Sequence, residues 1–419
     1  MVTTAETIAM LVYNIALIPM IFLSLIFLTL SIINIFVDKK KNYVDSKTYK
    51  FKKWPFVSVQ VPSFNDPIAA RCVEGCMKLD YPKDRFEIMI LDDSTNADTQ
   101  KLLKRYADDN PGFVKYIHRT NRQGYKPGAC KDAMDQTRGE IICIFDSDWE
   151  PEAHFLKKVI PPFADPNIAI VQGGQGFSNK DTNIITRFAA YSLTIFHTII
   201  MPISNKINTV FFCGTGGAIR KKCIEEVGGW NPNSITEDSE LSVRILMKGY
   251  RSVYVKGLDQ PSEVPDTWES YIKQQMRWTY GGMRVFIDNS KEIMFSGKLN
   301  WKQQAMILFQ TMVHLIAPVV ITMTIFGFLG WFVGEPTLFN LSDVATFFLR
   351  FFYTFGFLLM GGFMMYKRHM LKEYWYLVRG CFTVSLVLVF AIAYAAFKAV
   401  FNKKLSWFCT PKIKNVDFV

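Results

Sequence analysis

Apolar positions fall into three regimes along the chain. Residues 7–36 form one apolar run without a charge, long enough to cross a bilayer with some tilt. From 54 to about 285 the pattern is that of an α/β domain. Phe56–Val61, Phe86–Leu91, Val114–His118 and the run from Ile141 to Phe145 are predicted strands. Ile68–Leu79, 97–108, 127–138 and Trp268–Gly281 are predicted helices. Strands alternating with helices in units of about thirty residues imply a parallel sheet with helices on both faces. Beyond 285 the long apolar runs return. An interfacial helix is expected over 286–300, spans over 304–333 and 344–366, and one more apolar stretch over 380–400. The expected organisation is a membrane helix with a basic linker (1–53), an α/β domain (54–285), membrane-associated segments (286–402) and a cytoplasmic tail (403–419).

Charge orients these parts. Lys39, Lys40, Lys41, Lys47, Lys50, Lys52 and Lys53 follow the first apolar run, and basic flanks stay on the cytoplasmic side. The α/β domain is therefore expected in the cytoplasm, at a surface that attracts anionic headgroups. The first run lacks a basic leader and a small-residue cleavage site, so it does not read as a removable signal. Between 333 and 344 stand Glu335 and Asp343 but no lysine or arginine, whereas Lys367 and Arg368 follow the next run; the two spans thus leave and return. Arg350, inside a proposed span, is expected to face protein or a polar lumen. A third span at 380–400 would place Lys403 and Lys404 outside, so an interfacial or re-entrant segment is preferred. The net charge of +11 comes with half the residues hydrophobic; lysines gathered beside apolar runs favour a membrane over nucleic acid as partner. Eight scattered cysteines form no C-x-x-C pair and read as free thiols in a reducing compartment.

Candidate chemistry collects where strands run out. Asp146 and Asp148 end the Ile141 run, and side chains at i and i+2 of an extended segment point the same way. They could converge on a hard divalent cation, which binds through one or two carboxylates and substrate phosphates; an acidic turn is the plain alternative. Asp92 and Asp93 close the Phe86 strand, and ligands of parallel sheets bind outside the carboxyl ends of strands. Lys126 opens a predicted helix, where a lysine suits a diphosphate. Phe211–Gly217 places three glycines after two aromatics, allowing close backbone approach to a ligand. Thr236 could cap the helix that follows Glu237 and Asp238. Gln274, Arg277 and Trp278 fall at i, i+3 and i+4 on one helical face, polar and aromatic at once.

The ordered set Leu-Asp92-Asp93-Ser, Gly124-Tyr-Lys126-Pro-Gly, Asp146-Ser-Asp148, Phe-Phe-Cys213-Gly-Thr, Thr236-Glu-Asp238 and Gln274-x-x-Arg277-Trp278 resembles the family 2 membrane glycosyltransferases. The nearest-looking branch is the cellulose-synthase-like mannan and glucomannan synthases. The tail Trp407-Phe-Cys-Thr410-Pro-Lys412 resembles that family's gating loop. The resemblance implies a GT-A fold, a nucleotide-sugar donor (GDP-mannose, or UDP- or GDP-glucose), Mg²⁺ or Mn²⁺, and inversion in one displacement. Asp92 and Asp93 would contact the nucleotide; Lys126, Gln274, Thr410 and Lys412 would join them on the donor. Asp146 and Asp148 would hold the diphosphate, Asp148 through the metal. Asp238 would be the general base with Glu237 beside it, Arg277 would steady the leaving group, and Phe212, Cys213, Gly214 and Trp278 would meet the acceptor. The leading expectation is elongation of a β-linked polysaccharide, coupled to its export; single addition to a membrane lipid is the alternative. The expected location is a plasma, inner or Golgi membrane; a homo-oligomer is allowed. No counterpart of a cyclic-dinucleotide-binding extension is present, so that regulation is not expected.

Overall fold

The computed structural model describes residues 4–39, 51, 53–333 and 355–405. Its centre is a seven-stranded sheet in the order β3-β2-β1-β4-β6-β5-β7. The strands are β1 (Val57–Ser63), β2 (Phe86–Asp92), β3 (Val114–His118), β4 (Ile141–Ile144), β5 (Ile168–Phe177), β6 (Gly217–Arg220) and β7 (Arg251–Ser262). Strands β1 to β4 pair in parallel, as do β5 and β7. Wholly parallel pairing was expected, but β6 runs antiparallel to both β4 and β5.

Helices cover both faces, which is why these strands read as apolar runs rather than alternations. Alternate residues separate to the two sides. Val57, Val59, Val61, Ile88 and Ile90 enter one core with α2 (Ala69–Met77). On that side α3 (Ala97–Asp109) supplies Leu103, and α5 (Phe155–Val159) supplies Phe155 and Leu156. Met89, Leu91, Ile142 and Ile144 enter the other core, with α4 (Tyr125–Asp132), α8 (Lys221–Glu226) and α9 (Glu237–Met247). The helix expected over 127–138 is thus α4 followed by a separate 3₁₀ turn, Met134–Gln136.

Four helical stretches among the described residues are long and apolar enough to cross a membrane: Thr4–Val37, Ile184–Ile207, Trp301–Gly330 and Leu371–Val400. The first lies within α1 (Thr4–Lys39). The second, not foreseen from the pattern, comprises α6 (Ile184–Ile195), a π-helical turn (Phe196–Ile200) and α7 (Met201–Ile207); two thirds of it is buried in the protein. The helix expected to end at Gly281 continues as α10 (Trp268–Phe295), which absorbs most of the proposed interfacial helix at 286–300. The span expected from 304 starts at Trp301 and is broken: α11 (Trp301–Met312), a 3₁₀ turn and α12 (Ile316–Val333). After α13 (Gly356–Lys367) comes α14 (Tyr374–Val400), one 27-residue helix that contains the apolar stretch at 380–400. The rest of the proposed 344–366 span, with Arg350, and Glu335, Asp343, Thr410 and Lys412 lie outside the described residues.

A buried polar knot joins these helices to the sheet. Asn34 of α1 donates to the carbonyls of Thr198 (3.1 Å) and Ile199 (3.2 Å) in the π-helical turn, and its own carbonyl accepts from Lys367 Nζ at 2.5 Å. Arg368 donates to Thr198 Oγ1 (3.0 Å) and pairs with Asp259 of β7 (2.7 Å). Buried polar atoms cost stability when their partners are removed. Asn34→Leu should therefore lower stability by about 1–3 kcal/mol, read as a fall in the thermal midpoint of the protein in detergent. The control Phe22→Leu, at an outward position of α1, should leave that midpoint in place.

Candidate active site

The carboxyl ends of β1, β2, β4 and β5 open onto one cavity of about 1370 Å³. Asp92 and Asp93, side by side at the end of β2, have different surroundings. Asp92 is fully buried and accepts from Ser94 N–H (3.1 Å), Ser94 Oγ (2.5 Å) and Tyr116 Oη (2.7 Å), with His118 Nδ1 at 3.2 Å. It shapes the strand end and is not among the residues lining the cavity. Asp93 lines it and takes a bidentate pair from Arg119, Nε at 2.7 Å and Nη2 at 2.6 Å.

Arg119 also holds Asp132 (2.9 Å) and the Tyr125 carbonyl (3.0 Å), so it ties β2 to both ends of α4. The loop it closes is tight. Gly124 has φ +71, and a Cβ there would lie 2.4 Å from Pro232 Cβ. Lys126 is thereby delivered to the cavity, where Nζ meets Asp146 Oδ1 at 2.6 Å and the Gly214 carbonyl at 2.8 Å. In the turn after β4, Asp146 N–H donates to Thr215 Oγ1 (3.0 Å) and the Ser147 hydroxyl donates to Asp66 Oδ2 (2.5 Å).

The glycine loop before β6 is wired by Gln172 of β5. Its Nε2 donates to the Thr215 and Gly216 carbonyls (2.9 and 3.1 Å), and its Oε1 accepts from Cys213 N–H (2.9 Å). Phe212 is buried behind the loop and donates its N–H to Ser242 Oγ at 2.9 Å. Gly214, at φ +79, sits so close to Asp238 that an added Cβ would lie 3.0 Å from Oδ2.

Glu237 and Asp238 open α9. Thr236 stands at the cap position, yet its side chain makes no capping hydrogen bond. It packs instead on α10, its Cγ2 only 2.3 Å from where Gly281 would carry a Cβ. Gln274, Arg277 and Trp278 of α10 line the same cavity. Gln274 Oε1 and Arg277 Nε are buried without a hydrogen-bond partner among the described residues.

The structure thus gathers Asp93, Lys126, Asp146, Asp148, Phe212, Cys213, Gly214, Glu237, Asp238, Gln274, Arg277 and Trp278 on one cavity and leaves Asp92 behind it. Arg119 and Gln172 were not singled out from the sequence, nor was Arg122, whose guanidinium lies 3.2 Å over the Phe64 ring on the wall of the same cavity. A cation just past β3 and a polar residue within an apolar strand were the available signals.

Enclosure sets the electrostatics. Burial, reinforced by Asp238, pushes Glu237 up to about 7 against the pull of Lys126 and Arg277. Burial also raises Asp238, opposed by the Ser239 N–H, Lys126 and Arg277. Lys126 loses hydration, but Asp146 and Glu237 outweigh that loss and hold its ammonium above the usual range. Burial, with Asp238 adding to it, pushes the Cys213 thiol well up and so disfavours its thiolate. Asp146 and Asp148 offer only carboxylate oxygens, and among the described residues no group of three His, Cys, Asp or Glu forms a cage. That donor set fits a hard cation which keeps waters and takes phosphate oxygens, as Mg²⁺ and Mn²⁺ do.

A mixed α/β sheet of this kind is like that of the GT-A glycosyltransferases. The chain belongs to glycosyl transferase family group 2, whose profile matches residues 141–398. It is 31% identical over 280 residues to a probable glucomannan 4-beta-mannosyltransferase 7 of Oryza sativa subsp. japonica, covering 64% of this chain and 48% of that one. It is 32% identical over 290 residues to glucomannan 4-beta-mannosyltransferase 1 of Cyamopsis tetragonoloba, covering 65% and 55%. The matched region therefore spans about half the length of these curated relatives. In fold, the chain resembles the mannosyltransferase PcManGT of Pyrobaculum calidifontis, solved with GDP-Man and Mn²⁺, at a TM-score of 0.64, 19% identity and coverage of 96% and 100%.

A base must be deprotonated to act. Because burial raises both Glu237 and Asp238, a base drawn from this pair is lost on protonation, and the turnover rate should fall with falling pH at values above the usual carboxylate range. Lys126 lowers both groups, so Lys126→Met should move this acid limb to higher pH. A pH–kcat profile of both proteins at saturating donor checks the sign.

Proposed function

We propose that the protein transfers a hexosyl group, foremost mannosyl from GDP-mannose, to a glycan hydroxyl with inversion, its catalytic domain at the cytoplasmic face of a membrane. The observation that carries this reading is the meeting of Asp146, Asp148, Lys126 and Asp238 at one end of a single cavity. The relatives named for mannosyl transfer support the sugar, and the GDP-Man complex of the structural neighbour supports the nucleotide.

The steps follow from the side chains. Asp93, beside Arg122 and Phe64, faces the nucleotide. Lys126 and Arg277 bring positive charge to the diphosphate, and such fixed charge lowers the barrier where negative charge develops. Asp146 and Asp148 would hold a divalent cation, which would supply further positive charge there. Asp238 takes the proton of the acceptor hydroxyl as its oxygen bonds to the anomeric carbon and the bond to the diphosphate breaks. Glu237, near 7, stands beside it to share that proton. Trp278 presents an aromatic face to the acceptor sugar. The relatives' names favour β-linked glycan elongation as the use of this chemistry; Thr410 and Lys412 keep their donor role within this proposal.

Two measurements test it on purified protein in lipid nanodiscs. Of GDP-mannose, GDP-glucose, UDP-glucose and UDP-N-acetylglucosamine, GDP-mannose should turn over fastest, and chelation of divalent ions should abolish turnover until Mg²⁺ or Mn²⁺ is restored. Asp238→Asn should lower kcat by about 10²–10⁴-fold with donor binding retained. Undiminished activity in that variant moves the base elsewhere.

A further inference from the structure

The cavity does not end at the catalytic groups. It passes Trp278, Gln310 and His314 and continues between the membrane helices, where Phe27, Val320, Met323, Leu358 and Val389 line it. Its lining changes character on the way. The sheet end carries charge on Asp146, Asp148, Asp238 and Arg277; the middle carries Ser192, Gln275, Gln310 and His314; the far end is hydrocarbon apart from small hydroxyls. One of these, Thr324 Oγ1, already donates to the Val320 carbonyl at 2.8 Å.

A sugar chain threaded along this path would present hydroxyls on all sides to Phe, Val, Leu and Met, and buried polar groups without partners are unfavourable. An alkyl chain would gain by the same burial. Neither description fits the whole cavity, but one molecule fits both ends. We propose that the acceptor is lipid-borne: its sugar head meets Trp278 and Asp238, and its apolar chain lies between α1, α12, α13 and α14. This rests on the transferase reading above and specifies its acceptor. The glycan being extended is then anchored in the bilayer, and the membrane helices serve as its binding site rather than as an export path.

The test uses the full chain in nanodiscs and a dodecyl β-D-mannopyranoside carrying a diazirine at the end of its tail. Light-induced labelling should fall on Val320, Met323 and Val389 and be displaced by dodecyl but not methyl β-D-mannopyranoside. Labelling confined to outward residues such as Phe328 and Phe390, which are exposed on α12 and α14, overturns the site whether or not the protein turns over. With GDP-mannose as donor, KM for the dodecyl acceptor should be at least about tenfold below that for the methyl acceptor, since each buried methylene favours binding. Val389→Trp should narrow that ratio by filling the far end. Equal KM values, or a soluble manno-oligosaccharide used in preference, overturn the lipid acceptor and leave the transferase standing. No nucleotide release from any donor overturns the transferase, and the labelling pattern still decides the lipid site.

Discussion

Everything in the active site leans on the ammonium of Lys126. It lies within hydrogen-bond reach of the turn after β4, through Asp146, and of the loop before β6, through the Gly214 carbonyl. Glu237 at the start of α9 adds to the field that holds its proton. Asp146, Asp148, Glu237 and Asp238 crowd one partly dehydrated space, and like charges there oppose one another. Lys126, with Arg277 adding to it, offsets that repulsion and lets three chain segments approach. Its own position is not left to the flexibility of a lysine stem. Arg119 clamps Asp93 to α4, so the helix that presents Lys126 is fixed to the sheet before any ligand arrives.

The membrane part is coupled to this site by its own polar contacts. Asn34, Thr198, Lys367, Arg368 and Asp259 link α1, the π-helical turn, the end of α13 and β7. A π-helical turn has an extra residue and leaves carbonyls misaligned for the usual helical bonds, and Asn34 answers two of them. Helices in lipid gain little from apolar contact with each other, so such directional contacts fix their register on the sheet. Close packing adds to this: a Cβ on Gly380 would lie 2.5 Å from Phe188, and one on Gly361 would lie 2.3 Å from Leu377.

The sequence made the strand ends legible because a buried strand shows as an apolar run and an acid at its end breaks the run. Asp93, Asp146 and Asp148 stood out on that basis. The difference between Asp92 and Asp93 did not, since it arises from Ser94, Tyr116 and His118 closing on one and Arg119 on the other. Gly281-Gly282 suggested a helix end, as glycine often marks one. In the fold they are packing sites within α10, Gly281 against Thr236 and Gly282 against the Thr311 carbonyl, so the helix runs on to Phe295. The 184–207 stretch escaped notice because Arg187, His197 and Asn205 interrupt its apolar pattern; in the fold Arg187 pairs with Asp181 and lies over Tyr376, and Asn205 accepts from Tyr254 N–H.

The reversed strand β6 was hidden for a different reason, and its direction matters most for function. Four residues with a glycine at the start carry no periodic signal and no indication of direction. In a wholly parallel sheet, residues that precede a strand lie at the end opposite the ligand. Because β6 runs backward, Gly217 pairs with Ile144, the last residue of β4, and the chain just before it, Phe212 to Gly216, arrives at the ligand end. That reversal brings Gly214 against Asp238 and Lys126. It also makes intelligible the buried Gln172 of β5: the loop's carbonyls and the Cys213 N–H, turned inward where the strands end, have Gln172 as their partner. A polar side chain within an apolar strand is thus what allows a backbone loop to form one wall of a site whose other walls are carboxylates.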